Sequence, residues 1–144
     1  MYDANKIAVL YREGVMTDKK SGGKKIMIVD DEQTIRLLVK RMLGSNYTVL
    51  EAKDGQEAID LTLSQKPDLV IMDIMMPRKD GITALNELKS NQSTRKIPVI
   101  MLTGVDYALN KELTERMGAA KYVTKPIRPQ DLINVINQVL GHPG

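Results

Sequence analysis

A chain of 144 residues, 42% hydrophobic and 27% charged, is about one domain long and can bury a core of its own. Its formal net charge of +3, without any stretch that concentrates Lys and Arg, argues against direct nucleic-acid binding. With no Cys there is no disulfide framework, thiolate nucleophile or Cys-ligated metal, and with five Tyr but no Trp or Phe the core must be aliphatic.

Residues 1–24 differ from the rest. Asp3 can cap a short helix with Ala4, Ile7, Ala8, Tyr11 and Val15 at helical spacing, and Lys19 to Lys25 reads as a flexible Ser-Gly-Gly linker. The segment is expected to be an N-terminal extension, either disordered or a short amphipathic helix, ahead of a domain at 25–144. Ile7 to Tyr11 is too short for a signal-peptide core, and no apolar stretch approaches the roughly 18 residues of a membrane span. A cytoplasmic protein without a membrane anchor is the expectation.

From Lys25 onward strands and helices alternate. Strand one is expected at 25–30. Residues 32–43 place Ile35, Leu38, Val39 and Met42 on one helical face. Strand two runs 47–52, and Asp54-Gly55 opens a helix to about Leu63. Strand three covers 68–73, and a loop with Pro77 and Asp80-Gly81 leads into a helix to about Ser90 whose Ile82, Leu85 and Leu88 face inward. Strand four is 97–103, a helix spans 106–117 and ends at Gly118, and strand five is 120–124. Pro129 opens the last helix at its first turn. Strands three and four are almost continuously apolar, as strands buried on both faces are. Five βα units with right-handed crossovers predict an α/β protein with a doubly wound parallel sheet.

Each strand but the second ends in a polar group. Strand one runs into Asp30-Asp31, strand three into Asp73, strand four into Thr103, and strand five into Lys125-Pro126. Ligands of such sheets bind at the carboxyl ends of the strands, so these groups are expected to meet. Crowded carboxylates repel one another and call for a divalent cation, and Mg²⁺ favours carboxylate and phosphate oxygens. Asp31 and Asp73 are candidate ligands, with Asp30 acting directly or through water and a backbone carbonyl after Asp73 as a further donor. A carboxylate can attack phosphorus to give an aspartyl phosphate, while Lys125 neutralises charge and the Thr103 hydroxyl donates a hydrogen bond. Taken singly, Asp30-Asp31 reads equally as a helix cap, Thr103 as a strand end and Lys125 as a surface lysine.

The strings Ile28-Val29-Asp30-Asp31-Glu32, Asp73-Ile74-Met75-Met76-Pro77 with Asp80-Gly81, Leu102-Thr103-Gly104 and Lys125-Pro126 together resemble the receiver domain of two-component response regulators, over about residues 25–140. The resemblance implies a flavodoxin-like sheet of strand order 2-1-3-4-5 with five helices. It makes Asp73 the acceptor of a phosphoryl group from a histidine kinase or histidine phosphotransfer protein. It assigns Mg²⁺ to Asp31, Asp73 and the Met75 carbonyl, with Asp30 contributing through water, and it implies a cis Lys125-Pro126 bond. Thr103 and Lys125 become the phosphoryl-sensing pair, with Tyr122 as the switch aromatic that relays the change to a partner face on the fourth helix, fifth strand and fifth helix. Gly104 fits a need for a small residue beside the site, and Ile127 departs from the aromatic often found after Lys-Pro. Met75 and Val105 flank the path of water attack; both are apolar, so slow self-dephosphorylation is expected.

The last helix carries Leu132, Ile133, Val135, Ile136, Val139 and Leu140, either to close the sheet or to present a partner patch. His142, the single histidine, reads as an exposed terminal residue. The chain is expected to be a stand-alone receiver or one cut from a DNA-binding regulator or hybrid kinase, and the output protein is unknown. A dehalogenase-type phosphotransferase would need Asp at position 75, a flavodoxin would not carry acids in its first loop, and no G-x-x-x-x-G-K-[ST] occurs. The remaining alternative is a receiver-like scaffold that works without phosphate.

Overall fold

The computed structural model describes residues 23–104 and 107–141. The expectations for residues 1–22, Val105 and His142 lie outside them. Five strands form one sheet: β1 Lys24–Val29, β2 Tyr47–Ala52, β3 Leu69–Asp73, β4 Val99–Thr103 and β5 Lys121–Thr124. Five helices alternate with them: α1 Gln33–Leu43, α2 Gly55–Gln65, α3 Gly81–Ser90, α4 Tyr107–Arg116 and α5 Pro129–Leu140. The order is β2-β1-β3-β4-β5, and every pairing is parallel.

The period-two geometry of a strand divides its side chains between two cores. Val70 and Met72 of β3, with Val99 and Met101 of β4, pack beneath Ala58 and Ile59 of α2 and Ala84, Leu85 and Leu88 of α3. Leu69 and Ile71, with Ile100 and Leu102, face the opposite way onto Val39 and Leu43 of α1 and Leu132 and Ile136 of α5. Burial on both faces is why β3 and β4 read as unbroken apolar runs.

Local chemistry sets the helix ends. Asp54 caps α2 by accepting from the Glu57 N–H at 2.9 Å, and Asp80 caps α3 through the Thr83 N–H at 2.8 Å. Pro129 occupies the start of α5, where its missing N–H costs no hydrogen bond. Gly118 follows α4 with φ +99°, a conformation that side chains disfavour.

One predicted face needs correction. Leu38 is 40% exposed, whereas Val39 and Leu43 are buried. The i, i+4 pair points at the sheet and rotates Leu38, one residue or about 100° away, to the rim. In α5, Val135, Val139 and Leu140 pack partly against the buried Leu132–Ile136 cluster, so most of that helix's apolar surface serves the core.

Candidate functional site

Parallel pairing brings the ends of β1, β3, β4 and β5 to one edge of the sheet. β1 and β3 are neighbours there, and the chain leaves β1 for α1 on one face while α2 and α3 cover the other. That divergence marks the winding switch, the place where such sheets take ligands.

Asp30 follows β1 at this switch and is fully buried. Its N–H donates to the Ala52 carbonyl at 3.0 Å, which holds the residue in line with β1. Its carbonyl accepts from Arg36 Nη1 at 2.7 Å. One carboxylate oxygen accepts the Glu32 N–H at 2.9 Å, and the other accepts Lys125 Nζ at 2.9 Å. Among the described residues no buried side-chain nitrogen or oxygen is left without a partner, so this charge is accommodated as physical chemistry requires.

Asp73 ends β3 and is 4% exposed. Lys125 Nζ lies 3.4 Å from its Oδ1. Burial, reinforced by the nearby Asp30 charge, pushes the Asp73 carboxyl up to about 6, although the Lys125 ammonium and the Met75 N–H pull the other way. Burial disfavours the Lys125 charge, yet its hydrogen bond to Asp30 and the two carboxylate charges outweigh that, so its pKa is raised. The ammonium therefore stays charged between two acids.

Lys125 is placed by backbone contacts. Its N–H donates to the Thr103 carbonyl at 2.8 Å, and the Lys125-Pro126 peptide is cis. Thr103 is buried at the end of β4, where its register partner is Thr124. Tyr122 lies three residues before Lys125, half-buried against the core under α2 and α3. Lys111 Nζ of α4 stands 5.1 Å from the centre of its ring, within cation–π range. Tyr122 thus adjoins α4.

The carboxylate oxygens of Asp30, Asp31 and Glu32 lie within 4.8 Å of one another, with Asp31 and Glu32 exposed. Hard oxygens beside a buried acid fit a hard divalent cation. Glu32 was visible in the Asp-Asp-Glu run but reads as the start of a helix until the fold turns it toward Asp30. Asp73 is joined to this trio through Lys125. Met75 is 70% exposed in the loop after β3. A Cβ on Gly104 would meet only Lys125 Cβ at 3.5 Å and Cδ at 3.8 Å, ordinary contacts.

Comparison with known proteins agrees with this fold. The model of the response regulator receiver domain matches residues 26–137. The alkaline phosphatase synthesis transcriptional regulatory protein PhoP of Bacillus subtilis is 38% identical over 118 residues, 81% of this chain and 48% of PhoP. Protein PilH of Pseudomonas aeruginosa is also 38% identical over 118 residues, 81% of this chain and 98% of PilH. The chain therefore spans about half the length of PhoP and nearly all of PilH. Among solved structures, the receiver domain of the Pseudomonas aeruginosa sensor histidine kinase PA1611, described with a magnesium ion in its active-site cleft, superposes with a TM-score of 0.76 at 27% identity. That likeness covers 83% of this chain and 99% of the other. No helix among the described residues is long and apolar enough to cross a membrane.

Proposed function

We propose, since this chain belongs to the response regulator receiver domain family, that it is a phosphorylation-activated switch of a two-component system with Asp73 as phosphoacceptor. The observation that carries this reading is the Lys125 ammonium held at 2.9 Å from the buried Asp30 and 3.4 Å from the buried Asp73. A carboxylate oxygen of Asp73 attacks the phosphorus of a phosphohistidine, the P–N bond breaks, and the imidazole leaves with that electron pair. The donor is a histidine kinase or histidine phosphotransfer protein.

Asp30, Asp31, Asp73 and the Met75 carbonyl would hold Mg²⁺, which supplies charge neutralisation for phosphoryl oxygens. Glu32 stands close enough to join through water. Lys125, already charged and pointed at Asp73, turns from a carboxylate pair to the phosphoryl group, and the Thr103 hydroxyl donates a hydrogen bond to it. Tyr122 responds to the movement of Thr103 and alters the surface of α4, β5 and α5, where an output protein binds. The cytoplasm is the compartment in which these partners meet. The apolar Met75 gives water no polar guide, so the phosphoryl group is lost slowly and the protein is a switch before it is a phosphatase.

The test is incubation with Mg²⁺ and a small phosphodonor, followed by mass spectrometry. A phosphoryl mass increase on Asp73, absent from Asp73→Asn, is expected. No increase with any donor, in protein shown to be folded, replaces this reading with that of a phosphate-independent scaffold.

A further inference from the structure

The loop between β3 and α3 carries the residues that follow the proposed phosphoacceptor, and it is tied down at two places. At its base the Ile74 N–H donates to the Leu102 carbonyl at 3.0 Å and the Gly81 N–H returns to the Ile74 carbonyl at 2.9 Å. Near its far end it touches the loop between β2 and α2. Arg78 Nε donates to Asp54 Oδ2 at 2.9 Å, and its Nη2 donates to the same oxygen. The next residue accepts a backbone bond, from the Gly55 N–H to the Lys79 carbonyl at 3.0 Å. A Cβ at position 55 would sit 2.5 Å from that carbonyl oxygen, so the two backbones meet with no room for a side chain.

Arg78 has φ +64°, one of two non-glycine residues with positive φ among those described. A side chain in this region is strained and persists where its surroundings over-determine it. Glycine would take the conformation freely. Arginine takes it and delivers its guanidinium to an acid whose side chain is 6% exposed, while 65% of its own side chain remains in solvent. Asp54 is thereby shared between capping α2 and holding the loop.

We infer that Arg78 and Asp54 are positioning residues: their ion pair clamps the β3–α3 loop so that the Met75 peptide group stays against the Asp73 carboxylate. Met75 lies in the short segment between Ile74, fixed at the base of the loop, and Arg78, and its N–H and carbonyl are carried by that segment. The inference rests on the reading of Asp73 as phosphoacceptor and of the Met75 carbonyl as a metal donor. Neither Arg78 nor Asp54 touches the reacting atoms; both act through the loop. Loosening the clamp frees the Met75 peptide and weakens cation binding.

The experiment uses the whole chain with Arg78→Gly, Asp54→Asn and Arg78→Lys. Glycine accepts the positive φ and asparagine retains helix capping, so both variants keep the fold. Amide hydrogen exchange is followed by NMR without metal, and Mg²⁺ alone is then titrated. Exchange at Met75 is expected to rise roughly tenfold in Arg78→Gly and Asp54→Asn, as for a local opening, while β3 and β4 amides stay unchanged. Mg²⁺ affinity falls several-fold in the same two variants, and Arg78→Lys lies between them and the parent. Unchanged Met75 exchange and Mg²⁺ binding in both variants overturn the inference. So does a rise shared equally by β3 and β4, which marks general destabilisation. If the parent protein takes up no phosphoryl group but Met75 still loosens in both variants, the clamp stands and the phosphoacceptor reading falls.

Discussion

Lys125 and Asp30, 95 residues apart in the chain, are joined at 2.9 Å between Nζ and Oδ2. The ammonium of one strand end thus sits on the buried carboxylate of another, on oxygens that a metal would also claim. With Asp30 among the proposed Mg²⁺ ligands, the Lys125 ammonium would compete with the cation for it.

Lys125→Met leaves Asp30 buried without its counter-ion. In metal-free buffer the variant is expected to lose about 3 kcal/mol of stability, the scale for breaking a buried pair. Mg²⁺ then restores more stability to the variant than to the parent, because the competing charge is gone. Urea unfolding with and without Mg²⁺ measures both; a smaller gain in the variant would show that Lys125 does not compete.

Asp73 predicts an inverted pH dependence in the absence of metal. Its carboxyl is raised from 3.8 to about 6 by burial and then by Asp30. Between those values the folded state binds more protons than the unfolded state, so stability falls as pH rises and stays lowered above about 6. Asp73→Asn removes the penalty and is expected to be more stable than the parent at neutral pH by about 1–3 kcal/mol. The advantage fades below about pH 4, where both states of the parent are protonated. Equal denaturation midpoints for parent and variant across this range would contradict the argument.

Asp54 works with the opposite sign. The Glu57 N–H hydrogen bond, opposed by burial and aided by Arg78, holds its carboxyl below the usual value of 3.8. Its stabilisation is present above that value and lost as pH falls through the lower folded pKa. Asp54→Ala is expected to cost about 1–2 kcal/mol at neutral pH, chiefly as a lost helix cap. The exposed side of the Arg78 pair adds at most about 1 kcal/mol. Thermal unfolding at neutral and strongly acid pH should show the gap narrowing in acid.

Gly81 and Gly104 respond differently to one added methyl. A Cβ at Gly81 would lie 2.1 Å from the Asp73 carbonyl oxygen and 2.9 Å from Ile74 Cα, both backbone atoms. Gly81→Ala is expected to cost about 3 kcal/mol or more, since the strand end carrying Asp73 must shift. Gly104→Ala, with ordinary contacts to Lys125, is expected within about 0.5 kcal/mol of the parent. Denaturant midpoints of the two variants, measured side by side, decide it.

Phosphoryl lifetime offers a further test. By the receiver resemblance, Met75 and Val105 flank the path of water attack, and replacing them with Asn and Glu would supply groups capable of orienting a water. Loss of the phosphoryl group, followed by mass spectrometry after donor removal, is expected to quicken several-fold, a modest general-base contribution. A rate unchanged or slower would remove the role given to these two positions.

Apolar periodicity and capping acids are local signals, read from residues two to four positions apart, and they sufficed for the strands, the helices and the parallel order of the chain. The Asp30, Asp73, Thr103 and Lys125 edge was legible for the same reason: in a parallel sheet every strand delivers its last residue to one side. Other features depend on how separate segments meet. Val39 and Leu43, and not Leu38, face the sheet because of the roll of α1. The Lys125 reach to Asp30, the raised Asp73 carboxyl, the Lys111–Tyr122 contact and the Arg78–Asp54 clamp each join elements distant in sequence. Local sequence determines which groups arrive at the edge, because pattern and period are properties of neighbours. Only the tertiary structure decides which of them touch and which charges are stripped of water, because distance and burial are properties of the packed whole.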